Sequence, residues 1–289
     1  MRRSLVALVP VVLVAGGAAL AADAPIVNLQ RPAFPRAAAT KPAPPDAPRL
    51  VLVSSRRNKI TDVVAWFRRN GLTLREWDVP GGGFSLGPKL PPFPEAFSTS
   101  LGGLQVVRAI RQKNVALLVY GRDFSDARVL VASDPTETAS PRIRYGLDFT
   151  SYGSPPPARP GEQGFFQEIR WAAEVGGILY VANAHRTYAS FSRGLNAYLT
   201  AVDTRRRKVL WRSGSLLANA ATFDVVGHYI VAGYGFTAEP DFLYLIDRRD
   251  GKVVQRLPLP SAPDYIIRKG RQVFVRTYDH DVVVEVRSR

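Results

Sequence analysis

Residues 197–211 read AYLTAVDTRRRKVLW: an apolar strand that ends in Asp203, a charged turn, and a second apolar strand that ends in tryptophan. Residues 242–255, FLYLIDRRDGKVVQ, repeat this arrangement, and Asp247 follows Asp203 by 44 positions. A glycine-centred turn and a further apolar strand precede each copy, in residues 175–182 and 226–232. Self-similarity at about 40–45 residues with four strands per unit is typical of propeller blades.

Four such units can be recognised, of which the first is degenerate and the last stops one strand short. They cover residues 98–152, 165–217, 218–260 and 261–289. Closed propellers often complete the last blade with a strand from the other end of the chain, and residues 51–54 are our candidate for it. Residues 49–97 are the candidate for a fifth blade. We therefore predict a mostly β protein, a β-propeller of about five four-stranded blades that is incomplete or decorated.

One short helix is predicted near residues 61–70. Thr61 is a suitable cap for its start, Gly71 for its end, and four apolar residues share one face: Val63, Val64, Trp66 and Phe67. Residues 104–113 fit either a helix or a strand by spacing, and their position in the repeat favours a strand.

The chain begins with features of a secretory signal peptide, which we place at residues 1–21. Two arginines precede an apolar run, residues 5–20, and a small-x-small cleavage site follows. A transmembrane anchor is the alternative, but the run is short and Pro10 interrupts it, so no anchor is predicted after cleavage. Residues 22–48, rich in proline and alanine, are predicted to be a disordered tether, and residues 49–289 the propeller. The predicted location is the bacterial periplasm or the medium.

The composition restricts the chemistry. The chain has no cysteine, which excludes disulfides, thiol catalysis and thiolate metal sites. Its net charge of +15 favours an anionic envelope polymer or an envelope protein as a partner, since an exported protein rarely meets nucleic acid. The alternative is that the arginines are scattered, solvated charges. We predict a monomer.

The repeat resembles that of the quinoprotein-like propellers, a superfamily that includes PQQ-repeat and WD40-like proteins. Their repeat is apolar-x-Ala-apolar-Asp, a short turn with glycine, then Lys-apolar-apolar-Trp. Residues 199–211 match it except at Arg207, and the next copy keeps Gly251 but has Gln255 in place of tryptophan. The resemblance implies the architecture alone, because quinoprotein dehydrogenases are much longer and often use adjacent cysteines. No cofactor is predicted.

Three connections, residues 183–196, 233–241 and 278–281, follow corresponding strands, so we expect them to meet on one propeller face. They contain our candidate ligand-binding residues: His185, Arg186, Tyr188, Tyr234, Glu239, Asp241, Asp279, His280 and Asp281. We predict a non-catalytic binding or scaffold protein that recognises its ligand through these loops. The alternative is a metal-assisted hydrolase or lyase, in which the His/Asp cluster would hold a divalent metal. Asp203 and Asp247 are predicted to be structural acceptors for the N–H groups of the turns that follow them.

Overall fold

The computed structural model describes residues 25–36, 38–80, 87–135, 141–153 and 165–288, so the predicted signal peptide lies outside the described residues. The strands of the described chain form four sheets. Sheet 1 contains β1 (Ile26–Asn28), β3 (Ser100–Leu101), β4 (Leu104–Arg111), β5 (Ala116–Gly121), β6 (Val129–Ser133) and β7 (Ile143–Asp148), in the order β1-β7-β6-β5-β4-β3. The predicted strand at residues 104–113 is confirmed by β4.

The other three sheets have four strands each. Sheet 2 contains β8 (Glu168–Val175), β9 (Ile178–Ala184), β10 (Tyr198–Asp203) and β11 (Lys208–Arg212). Sheet 3 contains β12 (Asp224–Val226), β13 (Tyr229–Phe236), β14 (Glu239–Asp247) and β15 (Val253–Pro258). Sheet 4 contains β16 (Pro263–Lys269), β17 (Gln272–Thr277), β18 (His280–Arg287) and β2 (Arg49–Arg57), the last of which pairs with β18.

The predicted fold class is confirmed: the protein is mostly β, and its four-stranded antiparallel units form an incomplete propeller. Neighbouring sheets touch in chain order, because β8 contacts both β5 and β12, and β12 contacts β16. The described residues between 49 and 97 give no fifth blade of four strands. They supply β2, a helix and an extended segment, since the proline- and glycine-rich stretch that follows Asp78 offers little strand-forming sequence.

The last blade is completed by β2, a strand from the N-terminal part of the chain, as predicted. β2 pairs antiparallel with β18 along its whole length, and the register places Ser54 opposite Val283 and Leu50 opposite Val286. The pairing covers the edge that β18 would otherwise expose. Residues more than two hundred positions apart therefore form the joint of the ring.

Between sheets 4 and 1 lies the helix α1 (Val63–Asn70), which a 3-10 turn (Ile60–Asp62) precedes. Gly71 ends it as predicted, in the left-handed region at φ 56°. Thr61 does not cap its start, because it lies inside the 3-10 turn and no side chain caps the helix. The predicted apolar face is corrected at Val64, which is 51% exposed, because it lies a quarter turn away from the buried face of Val63, Trp66 and Phe67.

α1 and the segment after it close the ring. The Trp66 and Phe67 rings pack against Tyr265 of sheet 4, with centroids 6.4 and 5.2 Å away. Ten residues after Phe67, the Trp77 N–H donates to the Ala109 carbonyl of sheet 1 at 3.0 Å. The helix thus occupies the place that a further blade would fill.

Residues 25–36 and 38–48, which the sequence predicts as a disordered tether, lie along the outer edges of the sheets, and we call them the strap. β1 pairs parallel with β7, and the Val253 N–H and carbonyl of β15 bond to residues 39 and 41. Lys41 Nζ bonds Asp247 at 2.7 Å and Asp250 at 2.8 Å. Main-chain hydrogen bonds and the two ion pairs of Lys41 therefore supplement the few buried apolar side chains of this segment, such as Leu29 and Ala47.

The two strand-ending aspartates are structural, as predicted. Asp203 accepts from the Arg206 N–H at 2.7 Å, and Asp247 accepts from the Arg249 N–H at 2.9 Å. The Asp247 side chain has no exposed surface. Burial alone would raise its pKa, but the hydrogen bonds from Arg249 and Lys41 outweigh burial and hold the pKa of Asp247 below its ordinary value.

Trp211 joins sheet 2 to sheet 3. Its indole N–H donates to the Arg248 carbonyl at 3.0 Å, and its ring lies on the next turn at Gly251. Gly251 has φ 70°, and a Cβ there would approach the indole ring to 2.5 Å. The glycine of the repeat is therefore required here by both backbone conformation and space.

Candidate functional site

The connections β5–β6, β9–β10, β13–β14 and β17–β18 lie on one side of the ring, which we call the loop face. Two contacts join three of them: the Arg186 guanidinium donates to the Phe124 carbonyl at 2.9 Å, and the Ala189 N–H donates to Glu239 at 2.8 Å. The Ser261 hydroxyl, at the start of sheet 4, donates to Asp279 of the fourth connection. The loops that contain the predicted residues thus lie side by side on this face.

His185 is a buried structural residue. Its Nε2 lies 2.7 Å from the Ser192 hydroxyl, and its main-chain N–H donates to Asn196 Oδ1 at 2.9 Å. The ring packs near Phe165, 5.1 Å between centroids, and the residue is 6% exposed. Burial lowers the pKa of His185 to about 4.

This histidine predicts a pH dependence of stability. The folded-state pKa of about 4 lies below the ordinary value of 6.5, so protonation favours the unfolded chain. The contribution of neutral His185 to the free energy of unfolding is complete above about pH 6.5 and is lost as the pH falls towards 4. The total loss is up to about 3 kcal/mol. We expect His185→Gln to reduce this loss when urea unfolding is measured across that range. The exposed His228→Gln is the control, and equal pH profiles for parent and His185→Gln would contradict the prediction.

Tyr188, Tyr234, Glu239 and Asp241 lie where the second and third loops meet. The Tyr188 ring packs against Phe236, 4.6 Å between centroids. The buried Tyr234 hydroxyl donates to Glu239, and burial and this bond raise the pKa of Tyr234. Burial also raises the pKa of Asp241 to about 6, and the carboxylates of Asp279 and Glu239 act in the same direction. These residues mainly hold the loops together.

The fourth loop forms two separate groups. Asp279 accepts from Ser261 and from His280 Nδ1, the latter at 2.7 Å. Asp281 points towards the helix instead, and accepts from Arg276 Nη1 at 2.6 Å and from Asn58 Nδ2 at 3.1 Å. His280 and Asp281 therefore do not act on one common centre.

A metal cluster does not assemble from these residues. Within the described ranges, no group of three or more His, Cys, Asp or Glu side chains is placed to hold a metal ion. His185 is enclosed by Ser192 and Asn196, whereas His280 is paired with Asp279 in another sheet.

The loop face surrounds a cavity of about 510 Å³, which we call the central funnel. Its wall comes from β4 of sheet 1, β8 of sheet 2, the end of β13 of sheet 3, and β16 and β17 of sheet 4. Loops of sheets 1 and 2, the residues before β12 and the start of α1 complete it. The polar side chains include four guanidinium groups and one carboxylate: Arg108, Arg170, Arg186, Arg276 and Asp264. Aromatic residues in its lining include Phe124, Phe236, Tyr265 and Tyr278. A cavity of this volume fits a small molecule.

The guanidinium groups of sheet 2 are held by one carboxylate. Glu168, 2% exposed, accepts from Arg170 Nη1 at 2.7 Å and from Arg186 Nε at 2.6 Å. Arg170 also donates to the Asn219 carbonyl at 3.3 Å. Glu168 does not line the funnel, so the counter-charge lies behind the two guanidinium groups.

The other two guanidinium groups are held in the same way. Arg108 Nη1 donates to Glu76 at 2.8 Å, and the guanidinium carbon lies 5.8 Å from the Trp171 ring centre. The buried Arg276 bonds Asp62 at 2.7 Å and Asp281 at 2.6 Å. These carboxylates also lie outside the lining. All four guanidinium groups are thus fixed from behind. Because each guanidinium has five N–H donors, each keeps donors that a ligand can use.

Asp264 is the carboxylate of the funnel. Its side chain is accessible to solvent in the cavity, but the walls surround it. The enclosure raises the pKa of Asp264, with the guanidinium groups of Arg170, Arg276 and Arg108 opposing the shift. Desolvation likewise lowers the pKa of Arg170, with Glu168 opposing it. The funnel is thus a site where charges are poorly hydrated, which favours ligands that complete their hydrogen bonds.

Of the nine predicted candidates, all within the described ranges, Arg186 alone lines the funnel. Arg108, Arg170, Arg276 and Asp264 were not among the predicted residues. A signal for two of them was available, because Arg108 lies between the apolar Val107 and Ala109, and Arg276 follows three apolar residues of β17. A charged residue on a buried strand is almost always paired and often functional.

The sequence matches no protein-family model and no curated protein. Among solved structures, the glutaminyl cyclase of Myxococcus xanthus is similar at TM-score 0.40 and 11% identity, over 85% of this chain and 100% of that one. BamB of Moraxella catarrhalis is similar at TM-score 0.33 and 10% identity, over 61% and 57%. The quinohemoprotein alcohol dehydrogenase ADHIIG of Pseudomonas putida HK5 is similar at TM-score 0.36 and 15% identity, over 58% and 27%. The fold assignment rests on the strand pairing, not on these likenesses.

The helices in the described part of the chain were too short or too polar to cross a bilayer.

Proposed function

We propose that this protein is a non-catalytic binding propeller, exported to the bacterial envelope, that holds a small organic anion in its central funnel. The observation that supports the proposal is the lining itself: four guanidinium groups and one carboxylate, with the counter-ions of the guanidinium groups placed behind them. Export is supported by the leader-like sequence of residues 1–21.

The remaining lining describes the rest of the ligand. Ile60, Val63 and the aromatic rings of Phe124, Phe236 and Tyr278 surround the charged groups. Phe124 and Tyr278 are 49% and 61% exposed, which leaves aromatic surface for a ligand to cover. An apolar or aromatic body with a carboxylate or phosphate group therefore fits best, because guanidinium groups bind both anions through paired hydrogen bonds.

A pair of probes with the same ring and opposite charge tests this proposal. We expect phenylacetate to bind and to raise the melting temperature, whereas phenethylamine does neither. Arg186→Gln is expected to weaken phenylacetate binding by about tenfold or more, because a hydrogen bond to a charged group is lost. Asp264→Asn is expected to strengthen it, because the repelling carboxylate is removed. Titration calorimetry measures the affinity of the parent for each probe and the affinity of each variant for phenylacetate.

Arg122→Gln is the matched control, since Arg122 lies on the same face, is 72% exposed and does not line the funnel. It is expected to leave binding unchanged. The proposal is wrong if phenethylamine binds as well as phenylacetate, or if Arg186→Gln and Arg122→Gln have the same effect. Thermal unfolding of each variant without ligand confirms that it is folded.

A further inference from the structure

The side of the ring opposite the loop face carries most of the strand-to-strand turns, and we call it the turn face. It is formed by the turns β4–β5, β8–β9, β10–β11, β12–β13, β14–β15 and β16–β17, because successive strands of each sheet run in opposite directions. Three hydrogen bonds join neighbouring sheets on this side: the Glu174 N–H to Gln112 at 2.8 Å, Arg248 Nη2 to the Val175 carbonyl at 3.3 Å, and the Arg268 N–H to Asp224 at 3.3 Å. The turns therefore form one continuous surface.

The turn face concentrates exposed positive charge. Exposed cationic side chains lie on or beside its turns in all four sheets and in the segment after α1: Arg75, Lys113, Arg205, Arg206, Lys208, Arg249, Lys252, Arg268, Lys269 and Arg271. The carboxylates nearby are ion-paired with some of these cations: Asp224 with Arg75, Asp247 with Arg249, and Asp203 with Arg206. The excess of positive charge comes from the other cations, among them Arg205, Lys208 and Arg271, which form no ion pair within the described residues. Asp247 is fully buried, Asp224 is 7% exposed, and Asp250 is paired with Lys41. Among the described residues next to these turns, Asp46 of the strap is an exposed carboxylate.

A further feature of this face concerns apolar groups. Val209 and Leu210 are 39% and 48% exposed beside Lys208. This exposed apolar surface lies next to the positive charge.

We propose that the turn face binds the surface of a bilayer that contains anionic lipid headgroups. Exposed cations spread over all four sheets match a broad anionic plane, and arginine binds phosphate oxygens through paired hydrogen bonds. A soluble anionic polymer would use the same cations, but it would not account for the exposed Val209 and Leu210 beside them. In this orientation the funnel faces away from the membrane and stays open.

The test compares two variants with the same change in charge. Arg205, Lys208 and Arg271 are exposed on the turn face, whereas Arg56, Arg57 and Lys59 are exposed at the loop-face end of sheet 4. Binding of the full chain is measured by co-sedimentation with phosphatidylcholine vesicles, with and without phosphatidylglycerol. The quantity of interest is the increase in affinity that phosphatidylglycerol causes, which cancels any insertion of the apolar run.

We expect R205E/K208E/R271E to reduce this increase by about 100-fold, because each cation near an anionic surface contributes about fivefold. R56E/R57E/K59E is expected to reduce it by only a few fold, since its charges lie across the ring and are screened by salt. If the turn-face triple variant fails to fold, Arg271→Glu alone is expected to cost about fivefold.

Several results would overturn the proposal. One is an equal loss for the two triple variants, which would mean that net charge alone attracts the protein. Another is binding to phosphatidylglycerol vesicles that moderate salt does not weaken. A third is tight binding of dextran sulfate without any preference for phosphatidylglycerol vesicles. Because the two faces are separate, R205E/K208E/R271E is also expected to bind phenylacetate as the parent does.

Discussion

Trp66→Ala is expected to lower the free energy of unfolding by about 3–5 kcal/mol, the range typical for removing a large buried aromatic side chain. Trp66 is 1% exposed and packs on the Phe67 ring, with 4.9 Å between centroids, and on Tyr265 of sheet 4. The side chain joins α1 to the ring, so the cavity opens at the joint between sheets 4 and 1. Urea unfolding followed by far-ultraviolet circular dichroism gives the value.

Val64→Ala is the control for this variant. It lies on the same helix and is 51% exposed, so its loss is expected to change stability by less than about 0.5 kcal/mol. Similar destabilisation by the two substitutions would mean that packing against Tyr265 contributes nothing special, because both substitutions raise helix propensity. That result would remove the evidence that α1 takes the place of a blade.

Arg276→Met is expected to lower the free energy of unfolding by about 3 kcal/mol. Arg276 is 2% exposed and is bonded to Asp62, Asp281 and the Lys59 carbonyl. Removing one member of a buried ion pair leaves the other charges uncompensated, at a cost of about 3–5 kcal/mol. We expect the lower end of this range of costs, because the Asp62 and Asp281 side chains are 26% and 21% exposed and remain partly hydrated.

Arg69→Gln provides a control with the same carboxylates. Arg69 bonds Asp62 at 3.0 Å and Asp281 at 3.2 Å, but its side chain is 50% exposed. Its removal is expected to cost at most about 1 kcal/mol, as for other surface ion pairs. Both variants are compared by urea unfolding near neutral pH. A loss for Arg69→Gln as large as that for Arg276→Met would show that burial does not govern this network.

The residues that close the ring also build the funnel. Val63, Tyr265 and Arg276 belong to the joint between α1 and sheet 4, and all three line the cavity. Loosening the joint is therefore expected to widen the funnel. Under the proposed function, ligand affinity and ring stability are expected to be coupled, because the same side chains would serve both.

The prediction of the fold succeeded where the signal was local. The spacing between Asp203 and Asp247, the turn at Gly251 and the apolar strands between them indicate repeated four-stranded units. The strand from residues 51–54 was predicted because an unpaired edge on the last unit needs a partner. The role of the strap was not predicted, since main-chain bonds to sheet edges leave little trace in side-chain composition.

The candidate site was predicted less well. The loops were correctly expected on one face, but most of their polar side chains bond to each other, as His185 does to Ser192. Polar residues in loops often serve the backbone and the packing of the loop itself, so their presence does not locate a ligand. Arg170 and Asp264 lie in strands, and the sequence does not indicate which way a strand residue faces when both faces of the strand are covered.

By itself, the sequence determined that the chain forms repeated antiparallel units with structural aspartates at their turns, and that a strand from the start of the chain completes the last unit. The units and their aspartates follow from alternation and turn chemistry, which act between residues close in the chain. The completing strand follows from the need to pair an exposed edge, whatever the sequence separation. Only the tertiary structure decided that α1 fills the gap in the ring and that four guanidinium groups from three sheets surround one funnel. Their side chains meet across large sequence separations with no common period, so packing alone brings them together.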